Sequence, residues 1–399
     1  MLKNSFYHDL SDQNKYMINC CFFIFFVNGL YAMIFGSILP LLSDAYGLND
    51  TVSGMLISSH QGGNLLAGFI AGILPVYLGR KKAILFLSSF VMIGFGLIIV
   101  TGQPWVLFVA FFFTGISRGS ISNFNNKTVN DVSNSSPAAL NFLHSLFAIG
   151  ALLAPFLVIV STAFFGGKGW QVACGVIILL VMVSQWLFSK MPLEKEQGLE
   201  KARVKSGGYA FFKERLFWTT VIILFFYLCA EAAINGWLVT YFVDANIMSV
   251  QQAQLLASLL WLAILCGRLG CTFYGDRLSR SRLLVIISIG TSLFYFLLLS
   301  TQNYYVIVLA VFGLGVSMGG IYPTAMTIAG SSIKQYPMAM GWLLVIGGIG
   351  GIMMPIVTGI LSTNYGIFAG MAAIIVAIII MLVGVVSYVR WEKGAKSID

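Results

Sequence analysis

The apolar stretch LFWTTVIILFFYLCAEAAINGWLVTYFV, residues 216–243, decides the fold. It is long enough to cross the roughly 30 Å hydrocarbon core of a bilayer as one helix, and it lacks the apolar–polar alternation of a barrel strand. The whole chain of 399 residues shares this character, with 58% hydrophobic and 9% charged residues and a mean hydropathy of +0.90. Soluble proteins carry about 25% charged residues, so the composition predicts a polytopic membrane protein.

Further apolar runs on both sides of this one predict an all-α membrane protein with twelve transmembrane helices in two pseudo-symmetric six-helix halves. The runs of the first half lie near 16–43, 51–77, 82–101, 104–127, 140–165 and 168–189, and those of the second half near 216–243, 251–275, 282–300, 303–331, 337–361 and 366–389. We expect an N-terminal half over 1–189, a charged cytoplasmic linker over 190–215 and a C-terminal half over 216–399.

The basic residues predict the orientation. All but three of the 23 Lys and Arg residues fall in segments that a cytoplasmic N-terminus would place inside, as the positive-inside rule requires. The exceptions are Lys168, in an outer loop, and Arg118 and Arg268, within spans. We therefore expect a multi-pass protein of a cell inner membrane with both termini cytoplasmic. The net charge of +9 then reflects contact with anionic lipid, and no nucleic-acid partner is expected.

The two halves repeat each other with a constant offset of 200 residues. Two parallel repeats of this kind place a substrate cavity at their interface. The matched pairs are Gly36 and Gly236, Asp44 and Asp244, Leu78 and Leu278, Arg80 and Arg280, Gly115 and Gly315, Gly119 and Gly319, Gly150 and Gly350, and Pro155 and Pro355.

A motif rich in glycine and basic residues follows the second helix of each half. The segment AGILPVYLGRKKAIL, 71–85, resembles the loop between helices two and three of the major facilitator superfamily, whose pattern is roughly G-x-L-x-D-R-x-G-R-K. Val76 and Tyr77 replace the Asp and Arg of that pattern, whereas the copy YGDRLSRSR, 274–282, keeps both. In the superfamily this loop gates the inward face. The resemblance therefore implies gating roles for Gly79, Arg80, Asp276 and Arg277.

A narrower resemblance is to the fucose permease and sodium-glucose-transporter-like branch of that superfamily. It rests on LNFLHSLFAIGALLAP (140–155), AEAAINGWLVTYF (230–242), LCGRLG (265–270), GGIYPTAMTIA (319–329) and GGIGGIMMP (347–355). The resemblance implies a sugar site at mid-membrane, alternating access by rocking of the halves, and a glutamate in helix seven. The fucose-permease carboxylates of helices one and four are missing, so ion coupling rests on one acid here.

That acid is Glu231, which alone among the fourteen Asp and Glu residues falls deep in a span. A charged side chain at the bilayer centre costs about 2.5–3.5 kcal/mol on insertion scales. A carboxyl removed from water favours its protonated form, which suits a group that takes up and releases a proton. We expect Glu231 to carry the coupling proton or to coordinate a coupling sodium ion. The structural alternative is a protonated Glu that hydrogen-bonds a neighbouring helix.

Other polar groups within the spans are candidates for substrate binding. Arg118 stays charged, so it either donates to substrate, pairs with Glu231, or snorkels toward a helix end. Amides both donate and accept, as sugar hydroxyls do, and the mid-span indoles of Trp261 and Trp342 can stack on a pyranose. For every one of these side chains, packing is the alternative. The predicted substrate-binding set is Gln61, Asn64, Arg118, Ser122, Asn125, Asn141, His144, Asn235, Trp261, Tyr322 and Trp342.

These features predict a secondary active transporter that moves a monosaccharide or a similar polyol in symport with a proton, or with sodium. The alternatives are efflux of an amphipathic, drug-like or lipid-like compound, and a sensor that does not transport. No enzyme is expected, because no nucleophile–base set and no P-loop is present. The six cysteines form no CxxC pair, so we expect no metal, cofactor or disulfide. We expect a monomer.

Overall fold

The computed structural model describes residues 7, 10–134, 136–192, 210–274, 278–329 and 336–396. Fourteen α-helices account for nearly all of these residues, and two short 3₁₀ turns, Gly166–Lys168 and Ala210–Lys213, precede α7 and α8. The helices are α1 (Asp12–Met33), α2 (Phe35–Tyr46), α3 (Asp50–Leu78), α4 (Arg80–Val100), α5 (Pro104–Val132), α6 (Pro137–Phe165), α7 (Gly169–Lys190), α8 (Arg215–Asp244), α9 (Val250–Tyr274), α10 (Arg280–Leu299), α11 (Tyr304–Gly319), α12 (Ile321–Ile328), α13 (Pro337–Tyr365) and α14 (Ile367–Lys396).

The described helices agree with the predicted spans. Eleven stretches among them are long and apolar enough to cross a membrane. One of the eleven, Ala138–Lys190, has 53 residues and contains both α6 and α7, separated only by the turn at Gly166–Lys168. Twelve membrane-crossing helices follow, and the predicted all-α membrane fold is confirmed.

Two of the predicted spans are interrupted near their middle. The first breaks at Ile34 into α1 and α2, and the tenth breaks at Gly320 into α11 and α12. In each, a proline follows within a few residues: Pro40 cannot donate to the Gly36 carbonyl, and Pro323 cannot donate to the Gly319 carbonyl. Freed carbonyls at membrane depth must find other donors or line a polar cavity. By contrast, α13 continues through Pro355 without interruption.

The helices form two compact units. The first holds α1, α2, most of α3 and α4–α7, and the second holds residues 49–58 at the start of α3 together with α8–α14. Within the second unit, Ser58 Oγ donates to the Ile352 carbonyl at 2.6 Å, and the hydroxyls of Thr51 and Thr363 are 2.8 Å apart. The first turns of α3 therefore pack against α13, although they lie in the first half of the sequence.

Glycine pairs set the helix packing inside each unit in the same way. A Cβ on Gly115 would overlap the carbonyl oxygen of His60, and one on Gly315 would lie 2.7 Å from the carbonyl oxygen of Leu260. In the same way, a Cβ on Gly119 would lie 2.6 Å from the carbonyl oxygen of Asn64, and one on Gly319 would lie 2.5 Å from that of Ile264. Small residues allow such close backbone approach between membrane helices. The contacts are related by the same offset of 200 residues that the sequence shows.

Candidate functional site

A polar cluster forms around Arg118 in the first unit. The Arg118 Nη1 atom lies 3.3 Å from His60 Nε2 and 3.4 Å from Gln61 Oε1. His60 Nδ1 is 2.9 Å from Thr114 Oγ1, and the Thr114 hydroxyl donates to the Phe111 carbonyl at 2.6 Å. Because the guanidinium only donates and the Thr114 hydrogen is already used, we assign the His60 hydrogen to Nδ1. The imidazole is then neutral and accepts from Arg118.

Glycines bring the two helices of this cluster together. Gly115 and Gly119 of α5 sit against the backbone of α3 at His60 and Asn64. A Cβ on Gly63 of α3 would in turn overlap the Phe112 carbonyl oxygen of α5. The close approach brings the guanidinium within reach of α3, and it places Asn64 beside Gly119. Gln61 and Asn64 are half-buried, so both amides remain partly accessible.

A buried asparagine that the sequence reasoning missed extends the cluster to α1. Asn28 is 0% exposed, and its Nδ2 donates to Ser122 Oγ at 3.0 Å and to the Arg118 carbonyl at 3.4 Å. Asn125 is equally buried and donates to the Ile121 carbonyl of its own helix at 2.9 Å. The side-chain oxygens of Asn28 and Asn125 have no hydrogen-bond partner within the described part of the chain. Asn28 lies in an otherwise apolar run, which was a usable signal.

The predicted residues of α6 occupy a different place in the unit. Asn141 and His144 are both exposed on α6, and the His144 ring meets the Phe25 ring edge-on at 5.4 Å. The Asn141 carbonyl accepts from Ser145 Oγ at 2.9 Å.

The second unit holds a cluster around Glu231, about halfway along α8. The Tyr227 hydroxyl lies 2.9 Å from Glu231 Oε1 and 3.3 Å from the Met318 carbonyl. It has one hydrogen, which the two acceptors share. Met318 is the penultimate residue of α11, two residues before the break at Gly320. Tyr227 therefore connects the carboxyl group of Glu231 with the interrupted tenth span.

Other side chains surround this carboxyl group. The rings of Tyr227 and Tyr322 have centroids 6.4 Å apart, and Arg268 of α9 lies within electrostatic range of Tyr227. Asn235, one turn after Glu231, donates to the Glu231 carbonyl at 2.9 Å. Glu231 and Asn235 are half-buried, whereas Ala232, Ala233 and Ile234 between them are buried. One polar face of α8 is thus accessible in the middle of an otherwise packed helix.

The two predicted tryptophans lie in different surroundings. Trp261 is 6% exposed and lies near the middle of α9. Trp342 is 39% exposed, and its ring meets that of Phe212 at 5.3 Å. It lies in the second turn of α13, so the expected mid-span position is wrong for Trp342. The predicted run 337–361 already began at Pro337, where the helix starts, so Trp342, five residues later, was too near its first turn to lie mid-span.

Comparison with known families decides the class of this protein. The sequence profile described as Major Facilitator Superfamily matches residues 21–249 and 243–397, nearly the whole chain. The chain belongs to the Major Facilitator Superfamily. The predicted membership is confirmed, and the protein is a multi-pass membrane transporter and not an enzyme.

Among similar major facilitator proteins are two bacterial transporters. The glucose/mannose transporter GlcP of Bacillus subtilis is 23% identical over 89% of this chain and 91% of its own length. The sialic acid transporter NanX of Escherichia coli is 23% identical, with 89% of each chain covered. Similar solved structures include the nucleoside transporter NupG, with a TM-score of 0.75 at 15% identity over 95% of this chain and 99% of that one. Another is a bacterial homologue of the lysosomal transporter Spinster, with a TM-score of 0.76 at 13% identity over 95% and 97%.

The motif predicted to gate the inward face is described in its first copy only, since Asp276 and Arg277 lie outside the described residues. Gly79 has a φ of 76°, a backbone conformation that L side chains rarely adopt. Arg80 donates to Thr128 Oγ1 at 3.3 Å and lies 3.8 Å from the carboxylate of Asp131 on α5. Asp131, which the sequence reasoning missed, supplies an acidic partner for Arg80.

The described part of the chain has no group of three or more His, Cys, Asp and Glu side chains that could hold a metal ion. All six cysteines are free thiols, and four of them are buried. The chemistry available in the two clusters is therefore that of hydrogen bonding and charge.

Proposed function

We propose that this transporter moves a monosaccharide or a similar polyol by alternating access, in symport with a proton. The observation that carries the proposal is the position of Glu231, an acid halfway along α8 that is half-buried and accepts a hydrogen bond from Tyr227. Ionisable residues inside a membrane are costly, and they commonly serve ion or proton pathways. Tyr227 donates one hydrogen to the Glu231 carboxyl group, so a protonated and an ionised form can both be accommodated.

A proton fits these surroundings better than a sodium ion. Sodium sites in transporters use carboxylates together with unwound backbone carbonyls. Near Glu231, the Met318 carbonyl accepts from the Tyr227 hydroxyl, and the Glu231 carbonyl accepts from Asn235. Arg268 adds a positive charge within electrostatic range of Tyr227, the hydrogen-bond partner of Glu231, and this charge disfavours a second resident cation nearby. Together, these neighbours of Glu231 favour a carboxyl group that exchanges a proton.

A sugar fits the polar groups of the first unit. The half-buried side chains of Arg118, Gln61 and Asn64 offer guanidinium and amide donors with amide acceptors, which match hydroxyl groups that both donate and accept. Glucose/mannose and sialic acid, in the names of two similar transporters, belong to this chemical class. Trp261 is only 6% exposed, so the half-buried Tyr322 is the better candidate for an accessible aromatic ring in the second unit.

The orientation of the protein in the membrane is also part of the proposal, and it is argued from the distribution of basic residues. The predominance of Lys and Arg in alternate connecting segments supports a cytoplasmic location for both termini by the positive-inside rule. We assign the protein to a bacterial-type inner membrane, where a proton gradient is available to drive symport, and we expect a monomer.

Uptake into proteoliposomes tests the proposal. Purified protein is reconstituted and offered a panel of labelled hexoses, polyols and sialic acid, with and without an inward proton gradient and with a sodium gradient as the parallel condition. We expect one or more sugars to accumulate above the external concentration only when the proton gradient is present. Accumulation driven by sodium alone would reject the proton, and extrusion of amphipathic dyes without uptake of any sugar would favour efflux instead.

A further inference from the structure

The hydroxyl group of Tyr227 lies between two acceptors on different helices. It is 2.9 Å from Glu231 Oε1 on its own helix, α8, and 3.3 Å from the Met318 carbonyl oxygen of α11. The Tyr227 side chain is 2% exposed, so bulk water does not compete for its hydrogen. Because a phenol has one hydrogen to donate, the two acceptors compete for it.

We propose that Tyr227 is a positioning residue that couples the protonation of Glu231 to the break in the tenth span. Its hydroxyl donates to the carboxylate of Glu231 while that group is ionised, and it donates to the Met318 carbonyl once Glu231 is protonated. The inference rests on the proton coupling proposed above, and it adds the route by which the bound proton changes the structure.

The charge of Glu231 decides which acceptor receives the hydrogen. An ionised carboxylate only accepts, and hydrogen bonds to a charged acceptor are roughly twice as strong as those between neutral groups. A protonated carboxyl group has its own hydrogen, which it donates to the Tyr227 oxygen. The Tyr227 hydroxyl then turns toward Met318, and a chain of hydrogen bonds runs from Glu231 to the carbonyl, in which each bond strengthens the next. The O–H bond of Tyr227 stays intact throughout, since it only rotates.

The Met318 carbonyl is placed to affect the break. Met318 lies in the last turn of α11, where carbonyls lack the donors of a continuous helix. The N–H group of Gly320, at the break itself, donates to this carbonyl, which has two lone pairs. A second donor from Tyr227 therefore holds the end of α11 in place, and its loss leaves this end with fewer hydrogen bonds.

The break packs closely against α9 and lies next to a candidate substrate contact. A Cβ on Gly319 would lie 2.5 Å from the Ile264 carbonyl oxygen. Interiors packed this closely rearrange between discrete states and do not deform continuously. Tyr322, the second residue of α12, is half-buried, and its ring centroid is 6.4 Å from that of Tyr227. A change at the break thus reaches a residue of the predicted substrate-binding set.

Glu231 is the group that changes charge in these surroundings. Arg268 of α9 and Tyr322 of α12 lie within electrostatic range of Tyr227. An arginine keeps its charge, and a tyrosine hydroxyl ionises only near about pH 10. The helix α8 also packs against α13 and α14. Neither α11 nor α13 contains Asp, Glu, Lys, Arg or His, and α14 has such residues only from Arg390 onward.

Hydrogen–deuterium exchange on the intact protein in neutral detergent tests the proposal. The readout is the protection factor of peptides that span the break between α11 and α12, which divides out the direct effect of pH on exchange. It is followed between about pH 4 and pH 9, a range that covers the titration of carboxyl groups in proteins. In the wild type, protection of the break should rise about fivefold as Glu231 becomes protonated, which is the effect of one added hydrogen bond. Protection that stays constant with pH would overturn the proposal.

Three variants locate the effect. Tyr227→Phe removes the hydroxyl and Glu231→Gln removes the titration, so each should keep the protection of the break constant within about twofold across the pH range. The matched control is Tyr295→Phe in α10, since Tyr295 is 1% exposed and its hydroxyl donates to another backbone carbonyl, that of Met371, at 2.8 Å. This control should keep the wild-type pH response at the break. A response that survives in Tyr227→Phe or Glu231→Gln, or that is lost in Tyr295→Phe, would reject the role assigned to Tyr227.

Uptake into proteoliposomes separates this inference from the proposed function. If a sugar accumulates with the proton gradient while the break shows no response to pH, proton symport stands and the role of Tyr227 falls. If the break responds to pH through Glu231 and Tyr227 but no solute accumulates with the proton gradient, the role of Tyr227 stands and the proposed coupling to transport falls.

Discussion

Replacing Gly115 by alanine should separate the two helices that form the Arg118 cluster. The new Cβ would overlap the His60 carbonyl oxygen and would lie 2.8 Å from the Asn64 nitrogen, where ordinary contact begins at 3.4 Å. Overpacking of this kind costs about 1–3 kcal/mol. The obstructing atoms belong to backbone, so no side chain can rotate away, and α3 must move from α5.

The movement also removes hydrogen bonds. The contacts of Arg118 with His60 and Gln61 are already 3.3 and 3.4 Å long, so a further separation breaks them. Leaving buried partners unpaired costs about another 1–3 kcal/mol, while alanine favours a helix over glycine by up to about 1 kcal/mol. We expect a net loss of about 1–5 kcal/mol in the free energy of unfolding.

Reversible unfolding in SDS–detergent mixtures measures this loss. The matched control is Gly175→Ala in α7, where an added Cβ meets nothing within 4 Å. The control should be unchanged or more stable by up to about 1 kcal/mol. The Gly115→Ala protein should also bind substrate more weakly, since Arg118 and Gln61 move apart. If Gly115→Ala is as stable as Gly175→Ala, the packing argument for the cluster is refuted.

Three further substitutions follow from individual contacts. Arg118→Lys keeps the charge but loses the planar fork, so sugar affinity in a tryptophan-quenching titration should fall about tenfold or more, and unchanged affinity would place the sugar elsewhere. Tyr227→Phe removes the hydroxyl bonded to Glu231, so proton-driven uptake should fall by about tenfold while folding and counterflow persist; full uptake would make that hydroxyl dispensable. Asp131→Asn removes a long ion pair of 3.8 Å in which the carboxylate is 48% exposed, so the free energy of unfolding should change by less than about 1 kcal/mol, and a larger loss would mean that the pair is a structural latch.

Much of the fold was predictable because a bilayer restricts the choices. Twelve apolar runs had to become helices, since every backbone group must be paired internally. The helix breaks at Ile34 and Gly320 were harder to predict from the sequence. Pro75, Pro155 and Pro355 lie inside continuous helices, whereas Pro40 and Pro323 follow interruptions, so a proline alone does not tell the two outcomes apart.

The charged residues of the candidate sites could be predicted from the sequence. The residues that hydrogen-bond to them could not be predicted as well. Glu231 and Arg118 were prominent because charges are rare in spans. Tyr227 hydrogen-bonds to Glu231, Asn28 to the Arg118 carbonyl, and Thr114 to His60 beside Arg118. Asn28 stands out because it interrupts an apolar run, whereas Tyr227 and Thr114 look like the many other aromatic and small polar residues of the chain. Contacts between helices distant in sequence, such as Asn28 with Ser122, depend on helix rotation and on glycine packing, and no local pattern specifies both.

The most direct test of the account is transport by the Glu231→Gln protein in proteoliposomes, with Asp12→Asn, a change at an exposed carboxylate, as the control. If Glu231 carries the coupling proton, the variant should lose accumulation driven by the proton gradient while counterflow exchange of the same sugar continues. Accumulation by Glu231→Gln equal to that of the control would contradict the account, because proton coupling would then not depend on this carboxyl group.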